Sequence, residues 1–173
     1  NIKLTTDTET EINSQSSKVS AENIKEFFNS LEGLNSEDTV FLSGNIIPGM
    51  ESDDFVKIAE KVRQKGAKLV VDSNKDMVLN TLKCKPFIVK PNEFELGEMF
   101  GVELSSIEDI KKYAGKLQEM GAQNVLVSRG SKGAILFTST GEVLGANIAK
   151  GKVVSTIAAG DSMLAMFVAK YDE

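Results

Sequence analysis

The chain has 173 residues, 41% apolar and 26% charged, with a net charge of −5. That is enough for one domain burying roughly 70% of its unfolded surface. The acidic balance argues against a nucleic-acid or anionic-membrane partner. The single cysteine, Cys84, excludes an internal disulfide framework, and the absence of histidine removes His-based triads and His metal ligands. Carboxylates are left as candidate general bases. With no run of 18 apolar residues and no leader-like pattern, the expected location is the cytoplasm.

In chain order, residues 1–5 and 9–13 read as two β segments around a polar turn. Gln15 to Lys18 form a polar linker, and Ser20 caps a helix that places Ile24, Phe27, Phe28, Leu31 and Leu34 on one face. Residues 39–42 are a buried strand. Phe55, Ile58, Ala59 and Val62 make an i, i+3, i+4, i+7 stripe on a second helix that Gly66 ends. Residues 68–72 form a strand with Asp72 at its carboxyl end. Met77, Val78 and Leu82 mark a third helix, and residues 87–89 a further strand. Asn92 opens a helix that Gly101 closes. Ile107, Ile110, Ala114 and Leu117 mark a fifth, stopped by Gly121. Residues 125–127 and 134–137 are strands around a glycine turn, and 142–148 and 152–157 read as two more. A last helix starts near Asp161. Short apolar strands between amphipathic helices predict a mostly parallel sheet with helices on both faces, in one domain over 1–173. No internal repeat or second-domain boundary interrupts it.

Ligands of open α/β sheets bind at the carboxyl ends of the strands. The turns at Ser43, Asp72, Asn92, Ser128 and Ala158 all follow strands, so they should line one edge. The run Ala158-Ala159-Gly160-Asp161 turns a β-branched segment into a helix. Such a turn gathers first-turn N–H groups and the positive end of the helix dipole, which favours an anion. A carboxylate beside an anion site needs a task, such as taking a proton from an attacking hydroxyl. An ordinary helix start capped by Asp is the competing explanation. For Asn92-x-x-Glu95, the competing explanation is a capping box.

Five segments in order resemble the ribokinase/PfkB carbohydrate kinases. Ala158-Ala159-Gly160-Asp161 resembles the family's Gly-Ala-Gly-Asp. Ser43 to Gly49 resembles its Ser-Gly-Ser-Leu-Pro-x-Gly. Lys90-Pro91-Asn92-Glu93-Phe94-Glu95-Leu96 resembles Lys-Pro-Asn-x-x-Glu-Leu, and Ser128 to Ala134 resembles Ser-Leu-Gly-x-x-Gly-Ala. Asn1 to Asn13 resembles the 1-phosphofructokinase branch in particular.

The resemblance implies a ribokinase-like three-layer α/β/α fold, present as a partial domain. It implies ATP-dependent phosphorylation of a ketohexose phosphate, fructose 1-phosphate giving fructose 1,6-bisphosphate, with ATP and Mg²⁺ as cofactors. Asp161 matches the catalytic base and a sugar-phosphate contact. Ala158, Ala159 and Gly160 match the anion hole. Lys90, Asn92, Ser128, Arg129, Gly130, Ser131, Lys132, Gly133, Ser155 and Thr156 match nucleotide-binding positions. Asn92 and Glu95 match the motif linked to Mg²⁺ through water, and Asn45 a sugar-phosphate position. The partners implied are the sugar phosphate and ATP, with a homodimer for the parent protein. Tagatose 6-phosphate or fructose 6-phosphate as acceptor, or a nucleotide-binding fragment without turnover, are the alternatives. A dinucleotide binder is disfavoured, because no Gly-x-Gly-x-x-Gly follows a first strand.

Three departures from the family pattern stand out. Ala158 replaces a usual Gly, and would be strained by about 1 kcal/mol if left-handed. Met166 replaces a usual small Gly on the last helix, which predicts overpacking against the sheet. Arg129 replaces a common Leu. Family members also extend beyond the positions of Asn1 and Glu173, so the resemblance implies an internal piece of such a kinase. That piece would bind MgATP weakly and transfer phosphate poorly by itself.

Overall fold

The computed structural model describes residues 2–5, 9–12, 17–151, 153, 156 and 158–171. Strands β1 (Ile2–Thr5) and β2 (Glu9–Ile12) form a two-stranded antiparallel sheet of their own, pairing Ile2 with Ile12. The remaining strands make one six-stranded sheet in sequential order: β3 (Thr39–Gly44), β4 (Lys68–Ser73), β5 (Ile88–Val89), β6 (Asn124–Ser128), β7 (Ala134–Phe137) and β8 (Val143–Ala146). Strands β3 to β6 run parallel, while β7 and β8 return antiparallel. The parallel half ends at Gly44, Ser73, Val89 and Ser128, which brings these four carboxyl ends to one edge.

Alternation along each strand divides the core between two faces. Leu69 and Val71, Val89, Val125 and Val127, and Ile135 and Phe137 point to one side. There they meet the stripe Phe55, Ile58, Ala59 and Val62 of α2 (Ser52–Gln64), Met77 and Val78 of α3 (Lys75–Thr81), Leu96 of α4 (Glu93–Phe100), and Ile110, Ala114 and Leu117 of α5 (Ile107–Met120). Val70, Ile88, Leu126 and Ala134 point to the other side, against Leu164 and Val168 of α6 (Ala159–Tyr171). Fully burying one such aliphatic side chain contributes roughly 1.5–3 kcal/mol, so the continuous apolar strands are what hold both layers on. The three-layer α/β/α expectation is met.

Local signals behave as their chemistry predicts in most places. The Ser20 hydroxyl accepts from the Asn23 N–H at 3.1 Å at the start of α1 (Ala21–Ser30). Asp54 accepts the Glu51 N–H at 2.9 Å and the Lys57 ammonium at 2.8 Å, closing the first turn of α2. The lysine first, and then that N–H, hold the Asp54 carboxyl below its ordinary value.

Three expectations need correction. Phe27, placed on the buried face of α1, is 43% exposed and instead lines a shallow cavity with Phe41 and Ile47. The strand expected over 152–157 is not formed at Val153 or Thr156, and residues 152, 154, 155 and 157 lie outside the described residues. Met166 overpacks nothing: it is 61% exposed, because Leu164 and Val168 take the sheet-facing side of α6. No helix among the described residues is long and apolar enough to cross a membrane.

Candidate active site

The strand ends are knitted together by their own polar groups. Asn74 Nδ2 donates to Asn45 Oδ1 at 3.0 Å, and the Ser73 hydroxyl donates to the Gly44 carbonyl, tying the β3 turn to β4. Asn45, expected at the sugar phosphate, is exposed at this edge with its side-chain carbonyl held by Asn74. The Ser128 N–H donates to the Pro91 carbonyl at 3.0 Å, and Asn92 bridges to Ser128, which joins the β5 and β6 turns.

Lys90 and Asp72 form the most buried ion pair of the edge. Their Nζ–Oδ2 distance is 3.1 Å, and the two side chains are 9% and 18% exposed. Burial pushes the Asp72 carboxyl above its ordinary value; the Lys90 ammonium opposes this, and the carboxylates of Asp161 and Glu95 add to it. The four charged groups therefore share one electrostatic neighbourhood. Lys90 also lies directly under the α6 turn: a Cβ placed on Gly160 would come within 3.0 Å of its Nζ. Glycine at that position lets the ammonium approach the first turn of α6.

The turn itself is strained. Ala158 has φ +57°, one of two non-glycine residues among those described with a left-handed backbone. Its carbonyl accepts the Ser162 N–H at 2.9 Å, starting the helix. The Ala159 N–H, expected in the anion hole, donates to the Thr156 carbonyl at 3.2 Å. Helix geometry leaves the next first-turn groups, at Gly160 and Asp161, without an acceptor inside the helix. Gly160 is the better placed of the expected donors, since Lys90 adds positive charge below it.

Facing this turn is a groove of about 380 Å³ lined by Ser128, Gly130, Gly133, Thr156, Ala159 and Gly160, with Met163 and Ile148 as its apolar wall. A larger cavity, about 750 Å³, lies beside α4 and the 101–104 loop. Of the strand-end groups it touches only Glu93, and none of the 128–133 or 158–161 turn residues line it. The 128–133 turn is built for close approach. A Cβ on Gly133, at φ +86°, would stand 1.9 Å from the Ala146 carbonyl oxygen, and Gly130 has φ +55°. Six residues expected from sequence thus meet in one groove.

Others do not. Arg129 and Lys132 line a separate cavity of about 270 Å³ with Ser105 and Ser106. Ser131 is exposed, and Ser155 lies outside the described residues. Arg129 Nε donates to Glu93 Oε1 at 2.6 Å, and Lys132 Nζ lies 3.5 Å from Glu93 Oε2. The Arg129 guanidinium beside it holds the Glu93 carboxyl below its ordinary value. Glu93 was not anticipated, since its partners lie 36 and 39 positions further along the chain.

Asn92 and Glu95 realise the capping box: Asn92 Oδ1 accepts the Glu95 N–H and Glu95 Oε2 accepts the Asn92 N–H, both at 2.8 Å. Among the described residues, no three His, Cys, Asp or Glu side chains gather to hold a metal. Mg²⁺ keeps several waters and takes one or two carboxylates plus substrate phosphates. Glu95 fits that donor set through Oε1, the oxygen outside the box.

Comparison with known proteins gives the family and the fold. The family model described as pfkB family carbohydrate kinase matches residues 1–173. The chain is 43% identical over 169 residues to the 1-phosphofructokinase of Bacillus subtilis, covering 98% of this chain and 55% of that protein. It is 36% identical over 149 residues to the D-tagatose-1-phosphate kinase of Bacillus licheniformis, covering 86% and 49%. A crystal structure of phosphofructokinase-2 from Escherichia coli, in complex with substrates and products, superposes with a TM-score of 0.86 at 23% identity, over 95% of this chain and 55% of that one; it attests the fold. The chain spans about half the length of the curated relatives it matches.

Proposed function

The chain belongs to the pfkB family of carbohydrate kinases, and from that premise we propose that it carries the ATP-binding and phosphoryl-transfer residues of a sugar-phosphate kinase acting on fructose 1-phosphate. The observation that carries the reading is the groove between the 128–133 turn and the start of α6, with Lys90 beneath it and Asp161 following Gly160. The glycine turn receives the nucleotide where side chains would block backbone approach. The Gly160 N–H, the dipole of α6 and the Lys90 ammonium stabilise charge on the transferring phosphoryl group. Asp161 takes the proton of the sugar hydroxyl as its oxygen bonds to the γ-phosphorus and the bond to ADP breaks. Mg²⁺ would be held through water by Glu95, with the nucleotide phosphates, and would supply charge neutralisation. Asn45 is the proposed sugar-phosphate contact, and self-association into a homodimer belongs to the same reading.

Two observations favour a second reading, nucleotide binding without turnover: the strained Ala158 and the Ala159 N–H already committed to Thr156. A MgATP titration followed by thermal shift, with a coupled ADP-release assay on fructose 1-phosphate, tagatose 1-phosphate, fructose 6-phosphate and tagatose 6-phosphate, separates them. Binding with acceptor-dependent ADP release supports the kinase, and binding alone supports the second reading. A folded sample with no shift at millimolar MgATP refutes both.

A further inference from the structure

Glu93 has no part in the proposed chemistry, yet it ties this edge to residues 36 and 39 positions further along the chain. It is the first residue of α4, directly after the capping Asn92. Its two carboxylate oxygens face two different cations of the 128–133 turn, Arg129 at its entrance and Lys132 near its exit. Between them the backbone closes on itself: the Lys132 N–H donates to the Arg129 carbonyl at 3.0 Å, and the Arg129 N–H to the Gly133 carbonyl at 2.9 Å. One carboxylate therefore faces both ends of a closed turn, Arg129 through a short, half-buried contact and the 65%-exposed Lys132 through a longer one.

The opposite side of the turn is fixed by packing, with Gly133 pressed against the Ala146 carbonyl. Glu93 and β8 hold the turn from its two flanks. The Arg129 side chain is 15% exposed and that of Glu93 29%, so water weakens this pair less than an ordinary surface one. Arg129 and Lys132 line the cavity behind the turn, while Ser128, Gly130 and Gly133 line the groove in front of it. The two cations thus act on the turn from behind.

We propose that Glu93 is a positioning residue that fixes the 128–133 turn through Arg129 and Lys132, and that these two cations shape the nucleotide groove without touching the nucleotide. The second half rests on the groove being the nucleotide site; the first half does not.

Two readouts keep these halves apart. Amide exchange over residues 129–133, followed by mass spectrometry in the 173-residue chain, reads the hold directly. Glu93→Gln should speed exchange there about tenfold and leave the α2 and α5 peptides unchanged. MgATP affinity, by calorimetry, should fall about tenfold in Glu93→Gln, the size of one partly exposed charge-assisted hydrogen bond. It should fall equally in Arg129→Leu, and no further in the double variant. The charge-swapped pair, Glu93→Arg with Arg129→Glu, should recover part of both losses, which a general loss of stability would not. Unchanged exchange in Glu93→Gln overturns the hold. Additive losses of affinity in the double variant overturn the claim that Arg129 acts from behind the turn. Faster exchange in a chain that binds no MgATP at all upholds the hold, while overturning the nucleotide reading and with it the second half.

Discussion

Replacing Ala158 by glycine should stabilise the protein. The native backbone holds this residue at φ +57°, where a Cβ crowds the following carbonyl at a cost of roughly 1–2 kcal/mol. Glycine removes that cost. Against it stands the larger entropy of an unfolded glycine, about 0.4–1 kcal/mol. The Ala158 side chain is exposed, so little burial is lost. The balance is a gain of about 1 kcal/mol, a rise in Tm of roughly 2–4 °C for a chain of this size. Gly130→Ala is the mirror experiment. Gly130 has φ +55° with nothing within 4 Å of a built Cβ, so alanine there meets only the backbone penalty. It should lower Tm by a comparable amount. Urea unfolding with thermal melts on both variants checks the pair. A loss of stability in Ala158→Gly, with the expected loss in Gly130→Ala, would mean that the α6 turn is not left-handed. The account of a strained turn beside the groove would then fail.

Other perturbations test separate links. Gly133→Ala should destabilise by more than 2 kcal/mol, roughly the sum of the left-handed penalty and overpacking against the Ala146 carbonyl, read by urea unfolding. Asn92→Ala should cost about 1 kcal/mol of stability as a lost cap, whereas Glu95→Gln should weaken nucleotide affinity mainly when Mg²⁺ is present. Equal weakening of the latter in EDTA would assign Glu95 to capping alone. The Asp54 carboxyl is depressed below its unfolded value, so its stabilisation is complete above the unfolded pKa and is lost as pH falls through the folded one. Asp54→Asn should accordingly destabilise at pH 7, and the gap to the parent should close as pH drops below about 4.

What was legible in the sequence follows from the range over which each signal acts. The α2 stripe, the Ser20 cap and the alternating strands are local, and each is where its period or cap chemistry puts it. The parallel strand ends followed from alternation of helix and strand, and they placed Ser128, Gly130 and Gly133 at the groove; Thr156, Ala159 and Gly160 reach it from a segment that forms no strand at Val153 or Thr156. Met166 was misplaced although period supplied the answer: Leu164 and Val168 are four apart and take the sheet, leaving position 166 outside. The Glu93 grip on Arg129 and Lys132 and the Lys90–Asp72 pair depend on which strands become neighbours, a tertiary fact that no window of sequence carries. The diversion of the Ala159 N–H to Thr156 depends on the path of the backbone before the helix, which residue types leave open.

The most direct test concerns Asp161. In a chimera where these residues replace the matching span of the Bacillus subtilis relative, ADP release with fructose 1-phosphate and the affinity for MgATP are measured with Asp161 and with Asp161→Asn. The amide keeps the size of the acid but cannot take the hydroxyl proton. The expected result is a loss of about 10²–10⁴-fold in kcat with MgATP affinity nearly unchanged. Near-normal kcat in Asp161→Asn would contradict it and leave the α6 turn as an ordinary helix start.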